Sequence, residues 1–150
     1  MIEFTVETEI ARPVGEVFAH VTDPSKLATW QTNTISATPE SDGPLGVGTR
    51  LREVHRAPGG KELESLVEVS EYDPDRAFAL QTIEGALPID ARLIFEPTER
   101  GTRLTFTAHG QPPGLMRLAQ PLLQRTLRHQ FSGYCATLKQ RLENAELTSG

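Results

Sequence analysis

Two residues, Glu53 and His55, carry the most pointed chemical suggestion in this chain. They stand two positions apart in Arg50-Leu51-Arg52-Glu53-Val54-His55-Arg56. Side chains two apart in an extended strand share a face, so a carboxylate and an imidazole come side by side. Such a pair can act as general acid and base, or it can hold the polar end of a ligand. The register that turns Leu51, Glu53 and His55 inward leaves Arg50, Arg52, Val54 and Arg56 to solvent. The opposite register would bury three guanidinium groups, which costs more than burying one acid and one imidazole. The plainer alternative has both residues at a pocket mouth, hydrated or paired with each other, without chemistry of their own.

The other reactive residue types form no pattern. His20, His55, His109 and His129 are scattered, and neither an H-E-x-x-H pair nor paired cysteines accompany them, so no metal site is expected. Cys135 is the one cysteine. It sits at an apolar helical position without an adjacent base, which marks a buried structural thiol rather than a nucleophile. Gly46-x-Gly48 lacks the third glycine and the following helix of a nucleotide-binding loop and reads as a turn. No cofactor is implied.

The elements that must position Glu53 and His55 follow from periodicity. Residues 2–10 alternate, with Ile2, Phe4, Val6 and Ile10 opposite Glu3, Thr5, Glu7 and Glu9, which predicts a half-buried antiparallel strand. After Pro13, Val14, Val17, Phe18 and Val21 make the stripe of a short helix. Asp23-Pro24-Ser25 ends it, and a second short helix follows around 25–30, anchored by Leu27 and Trp30. Strands are predicted at about 33–40, 48–56, 62–72, 77–83, 88–96 and 102–109. Turns at Ser41-Asp42-Gly43-Pro44, Pro58-Gly59-Gly60, Asp73-Pro74-Asp75 and Arg100-Gly101 separate most of them. Leu63, Ser65, Val67 and Val69 share one face, as do Ile89, Ala91, Leu93 and Phe95, and Leu104, Phe106 and Ala108. Pro112-Pro113-Gly114 breaks the last strand, and a long helix is predicted over about 115–146. Its apolar stripe is Leu118, Leu122, Leu127, Phe131, Cys135, Leu138 and Leu142, with Pro121 kinking it or marking where its main segment begins. The architecture is α+β, an antiparallel sheet with its helices on one face.

At 150 residues the chain fits one domain, 1–150, with room for a core that needs no disulfide. The net charge of −5 and pI near 5.4 argue against nucleic acid or an anionic membrane as partner. A single cysteine suits a reducing cytoplasm. The start, Met1-Ile2-Glu3-Phe4, has no leader character, and no integral membrane segment is evident.

Six short motifs occur in a telling order. They are Ala11-Arg12-Pro13-Val14-Gly15-Glu16-Val17-Phe18, Asp23-Pro24 followed by Trp30, Gly46-Val47-Gly48-Thr49-Arg50, Val69-Ser70-Glu71-Tyr72-Asp73-Pro74-Asp75-Arg76, Gly101-Thr102-Arg103-Leu104-Thr105, and Leu138-Lys139 with Leu142-Glu143. In this order they resemble the START-like (SRPBCC, birch-pollen-allergen-like) superfamily, and most closely its bacterial polyketide cyclase/dehydrase-like branch. The resemblance implies a helix-grip fold: a six- to seven-stranded antiparallel sheet curved around the C-terminal helix, with two short helices after the first strand. It also implies a cavity between sheet and helix for a small hydrophobic molecule that is lipid-, polyketide- or isoprenoid-like. On that reading the walls are Leu51, Leu63, Ser65, Val67, Phe78, Leu80, Thr82, Ala91, Leu93, Phe106, Leu127, Phe131 and Cys135. Ser65, Ala91 and Ala108 are small enough to leave space on the inner face. Two other roles occur on the same fold: a cyclase or dehydrase in which Glu53 and His55 move protons, and a co-chaperone-like protein-interaction domain, which would expose an apolar patch instead of a deep pocket.

Overall fold

The computed structural model describes residues 2–40, 42–56, 60–85, 88–111 and 114–148. Seven strands form one antiparallel sheet: β1 (Ile2–Ile10), β2 (Thr34–Pro39), β3 (Arg50–Arg56), β4 (Glu62–Asp73), β5 (Ala77–Glu84), β6 (Ile89–Pro97) and β7 (Thr102–Gly110). Their order across the sheet is β1-β7-β6-β5-β4-β3-β2. Thus β2 through β7 are a meander of hairpins, and β1 closes the far edge against β7. Two short helices, α1 (Val14–Thr22) and α2 (Leu27–Trp30), follow β1, and the long helix α3 (Gln120–Thr148) ends the chain. Pro121 falls in the first turn of α3, where its missing N–H leaves no bond unmade. A 3₁₀ turn at Gly114–Ala119 precedes it. The sequence-predicted breaks at Pro58-Gly59 and Pro112-Pro113, and Ser41 of an earlier turn, lie outside the described residues. Among the described residues, no helix is long and apolar enough to cross a membrane.

The alternation in β1 sets its face. Ile2, Phe4, Val6 and Ile10 are buried, and Phe4 and Val6 pair with Ala108 and Phe106 of β7. Further across, Phe106 pairs with Leu93, Leu93 with Phe78, and Leu80 with Ala91. The inner face is therefore apolar from edge to centre, while Glu3, Arg103 and Thr105 take the other side. One departure from simple alternation matters. In β4 the register shifts between Val69 and Glu71, so Ser70 is an extra residue. This bulge returns Tyr72 to the inner face, where its ring meets Phe78 and Phe18 edge-on, at 6.1 Å and 5.5 Å between centroids.

Helix α1 buries Val17, Phe18 and Val21, and Phe18 meets Phe95 at 5.1 Å. Asp23 ends α1 and accepts hydrogen bonds from the Ser25 amide and hydroxyl, which start the next turn. Trp30 is almost fully buried in the core between the short helices and the sheet. Helix α3 packs chiefly along β1. Near its C-terminal end it is pinned there: Lys139 Nζ donates to Glu9 O at 2.7 Å, and Glu143 accepts from the Ala11 amide at 2.9 Å. Leu127, Tyr134, Cys135, Leu138 and Leu142 face the core. Leu118 and Leu122, assigned to the same stripe from the sequence, do not: they are 88% and 66% exposed. The reason is phase. Leu118 belongs to the 3₁₀ turn rather than to α3, and Leu122 is five residues before Leu127, on the far side of the helix.

Candidate ligand-binding site

Strand β3 lies between β2 and β4, and its register decides the site. Leu51 pairs with Val67, Glu53 with Ser65, and His55 with Leu63. Leu51 and Glu53 are buried, at 3% and 6% exposure, whereas Arg50 and Arg56 are exposed. The carboxylate is thus carried inward and the arginines outward. Out there Arg50 and Arg52 pair with Glu68 and Glu40.

Glu53 does not stand alone. Its Oε1 lies 3.1 Å from His55 Nε2, and His55 Nδ1 lies 3.2 Å from the Thr34 hydroxyl. That hydroxyl is also 3.4 Å from Gln31 Oε1. A carboxylate only accepts, so Nε2 carries the proton and donates to Glu53. A neutral imidazole then accepts from Thr34 at Nδ1. In a protonated imidazole Nδ1 donates instead, and the Thr34 hydroxyl turns its proton to Gln31. The chain Glu53–His55–Thr34–Gln31 therefore has two consistent hydrogen-bond settings that differ by one proton.

Helix α3 brings in Tyr134 as well. Its ring stacks on Phe131 at 5.4 Å, and its hydroxyl accepts from Gln130 Nε2 at 2.6 Å. Burial raises the Tyr134 pKa above the usual phenol value; bonds to Gln130 and to the backbone and side chain of Asn33 oppose this, and the Glu53 charge adds to it. The segment from Gln31 to Thr34 is accordingly tied on two sides, to α3 through Asn33 and to β3 through the Arg56 amide, which donates to Asn33 O at 2.7 Å. Spacing could have flagged Tyr134, which falls with Phe131 and Leu138 on one helical stripe. Nothing local joins it to Asn33, about a hundred residues earlier in the chain.

The expected wall residues divide into two sets. Phe78, Leu93, Phe106, Leu127 and Cys135 are built into the main core. Leu63, Ser65, Leu80, Thr82 and Ala91 are only partly buried, although they lie on the sheet's inner face with Leu51 and Val67, and Phe131 of α3 is only partly buried too. The Thr82 hydroxyl donates to Ile89 O at 2.7 Å and so braces β5 to β6 just past Leu80–Ala91, the last pair of that ladder. Burial pushes the Cys135 thiol up to about 11, which keeps it protonated and unreactive. Among the described residues, no three His, Cys, Asp or Glu side chains gather as a metal site would require.

Two of the concavities among the described residues lie away from this face. One of about 830 Å³ sits at the β4–β5 turn and the adjoining end of β6, around Asp73, Asp75, Arg76 and Glu96. The other, about 420 Å³, runs along the outer surface of α3. The case for an interior site therefore rests on the half-covered inner face and the polar chain at its edge.

The family profile described as polyketide cyclase / dehydrase and lipid transport matches residues 1–143. The chain belongs to this family. Solved structures with the family's sheet and C-terminal helix superpose over nearly the whole chain. The Thermus thermophilus protein TTHA0849 is 24% identical with a TM-score of 0.79, over 95% of this chain and 98% of that one. Protein NE0264 of Nitrosomonas europaea is 19% identical with a TM-score of 0.77, over 97% of each chain. The di-domain ARO/CYC protein StfQ from the steffimycin biosynthetic pathway is 18% identical with a TM-score of 0.73, over 92% of this chain and 49% of that one. At these identities the likeness speaks for the helix-grip fold. No curated protein sequence matches the chain.

Proposed function

We propose that the protein binds a small hydrophobic molecule, lipid-, polyketide- or isoprenoid-like, between α3 and strands β3 to β5, with Glu53 and His55 meeting its polar end. The observation that carries this reading is the hydrogen bond between buried Glu53 and half-buried His55 at the edge of an apolar face whose neighbours Leu63, Ser65, Leu80 and Thr82 are incompletely covered. Apolar walls with a few converging polar groups are the usual makeup of a small-molecule site. Leu51 and Val67 would flank the body of the ligand, with Ala91 on the sheet side and Phe131 on the α3 side. Native mass spectrometry of the purified protein tests this: the reading expects a co-purifying apolar molecule whose loss returns the bare chain mass. A protein that carries no such molecule and takes up none from a mixed lipid and polyketide extract contradicts it.

One observation favours a second reading, proton-transfer catalysis of the cyclase or dehydrase kind. The Glu53–His55–Thr34 chain can exist in two settings one proton apart. In a dehydration, Glu53 would take the proton from a carbon beside a carbonyl. His55 in its protonated form would pass one to the departing hydroxyl, which leaves as water while the carbon–carbon double bond forms. Glu53→Gln separates the readings. Catalysis predicts lost turnover with binding retained; simple anchoring predicts weakened binding and no turnover by the wild type.

A further inference from the structure

The net charge of −5 conceals a segregation. Between Arg100 and Leu142 there is no Asp or Glu, while Arg100, Arg103, Arg117, Arg125, Arg128, Lys139 and Arg141 all fall there. Several of these are spoken for: Arg103 pairs with Glu7 and Lys139 with Glu143. Arg125 and Arg128 have no acidic partner among the described residues. They line, with Pro121, Gln124, His129 and Ser132, the shallow groove on the outer surface of α3. These positions recur every three or four residues, so they share one helical face. At its N-terminal end stand Leu118 and Leu122, 88% and 66% exposed. Exposed leucines are ordinary singly, but two beside unpaired arginines make a combination that water alone does not reward.

We propose that this face of α3 docks the protein onto a membrane surface that carries anionic lipids. Leu118 and Leu122 enter the headgroup boundary, and Arg125 and Arg128 meet lipid phosphates across the groove. An amphipathic helix with leucines beside basic residues binds an interface through these two terms together. Glu3 of β1 stands close by, its amide donating to Gln124 Oε1 at 3.2 Å, while acidic groups more than about 8 Å away are largely screened at physiological salt. A second copy of the chain is a poorer occupant, because two such faces would bring four arginines together. The inference does not depend on the ligand reading above, since it concerns the outer side of the helix.

Vesicle flotation tests it. Vesicles of phosphatidylcholine alone are compared with vesicles containing phosphatidylglycerol, at low and high salt. The wild type is expected to float with the phosphatidylglycerol vesicles, to release as salt rises, and to stay behind with phosphatidylcholine alone. Arg125→Glu with Arg128→Glu should lower the bound fraction at least about tenfold, by the loss of two basic contacts and the gain of repulsion. Leu118→Ser with Leu122→Ser should lower it as well. Both variants alter exposed side chains, so an unchanged melting temperature is expected and verifies folding. The proposal is overturned if the wild type ignores anionic vesicles, or if both folded variants bind as it does. It is also overturned if the leucine variant turns a dimer into a monomer without affecting flotation, since a second copy then covers the leucines.

Discussion

The concave face of the sheet is finished differently in two places. Under α1 and the C-terminal half of α3 the core is closely covered: Ile10, Val17, Leu104 and Leu138 are buried, and Phe18 is wedged against Phe95 and Tyr72. Across β3 to β5 the same alternation of inward side chains continues, yet His55, Leu63, Ser65, Leu80 and Thr82 remain partly open. The difference lies in the helix rather than in the strands. Because α3 is held against β1 by Lys139 and Glu143, it covers that side of the sheet closely and stands less close over the other. A fold can thus be stabilised in one region and left receptive in another by where one helix is pinned.

Four substitutions or conditions would break or sharpen that contrast. The largest effect is expected for Phe18→Ala in the sealed region, about 3–5 kcal/mol by urea unfolding, since the site is buried among rings that cannot readily close the gap. Gly101→Ala comes next. An added Cβ would stand 2.2 Å from Ile10 O and 2.6 Å from Arg12 N, both backbone atoms, so β1 and the β6–β7 turn must separate. A loss of about 3 kcal/mol is expected from such overpacking, and a thermal melt measures it. Third, the folded Cys135 thiol ionises near pH 11, above its ordinary value of 9.0. The unfolded chain therefore ionises first. Stability is unaffected by this group below about pH 9 and falls, by on the order of 2 kcal/mol, as pH rises to about 11. Unfolding of Cys135→Ala over the same range should lack that component. The smallest effect belongs to the open region: Leu63→Ala should cost less than about 1 kcal/mol of stability, because little packing is removed from a half-exposed site. The same change should still weaken ligand binding measurably, and equal stability losses at Phe18 and Leu63 would erase the contrast.

The strands and their facing were legible in the sequence because period-two alternation is a local signal. Ile2 to Ile10, Leu51 to His55 and Leu104 to Ala108 all show their inner residues without any partner in view. The inward placement of Glu53 was legible for an energetic reason, the cost of burying Arg50, Arg52 and Arg56 instead. Other features depend on pairing. The bulge at Ser70, which turns Tyr72 inward, exists only because β5 sets the register opposite it. The meeting of Tyr134 with Asn33 requires α3 to cross the segment after α2, and no spacing reports that. Leu118 and Leu122 continued an apolar pattern across the boundary between a 3₁₀ turn and an α-helix, where a single helical period no longer applies. The overall charge was legible but averaged away the basic face of α3.

The central claim is that the incompletely covered half of the concave face receives the ligand. Methyl NMR of the protein titrated with a naphthol probe, an apolar body bearing one hydroxyl, tests it most directly. The account predicts saturable shifts at Leu51, Leu63, Val67 and Leu80, abolished or weakened in Glu53→Gln, with Ile10, Val17, Leu104 and Leu138 unmoved. Shifts confined to the sealed residues, or to Leu118 and Leu122 on the outer side of α3, would contradict it.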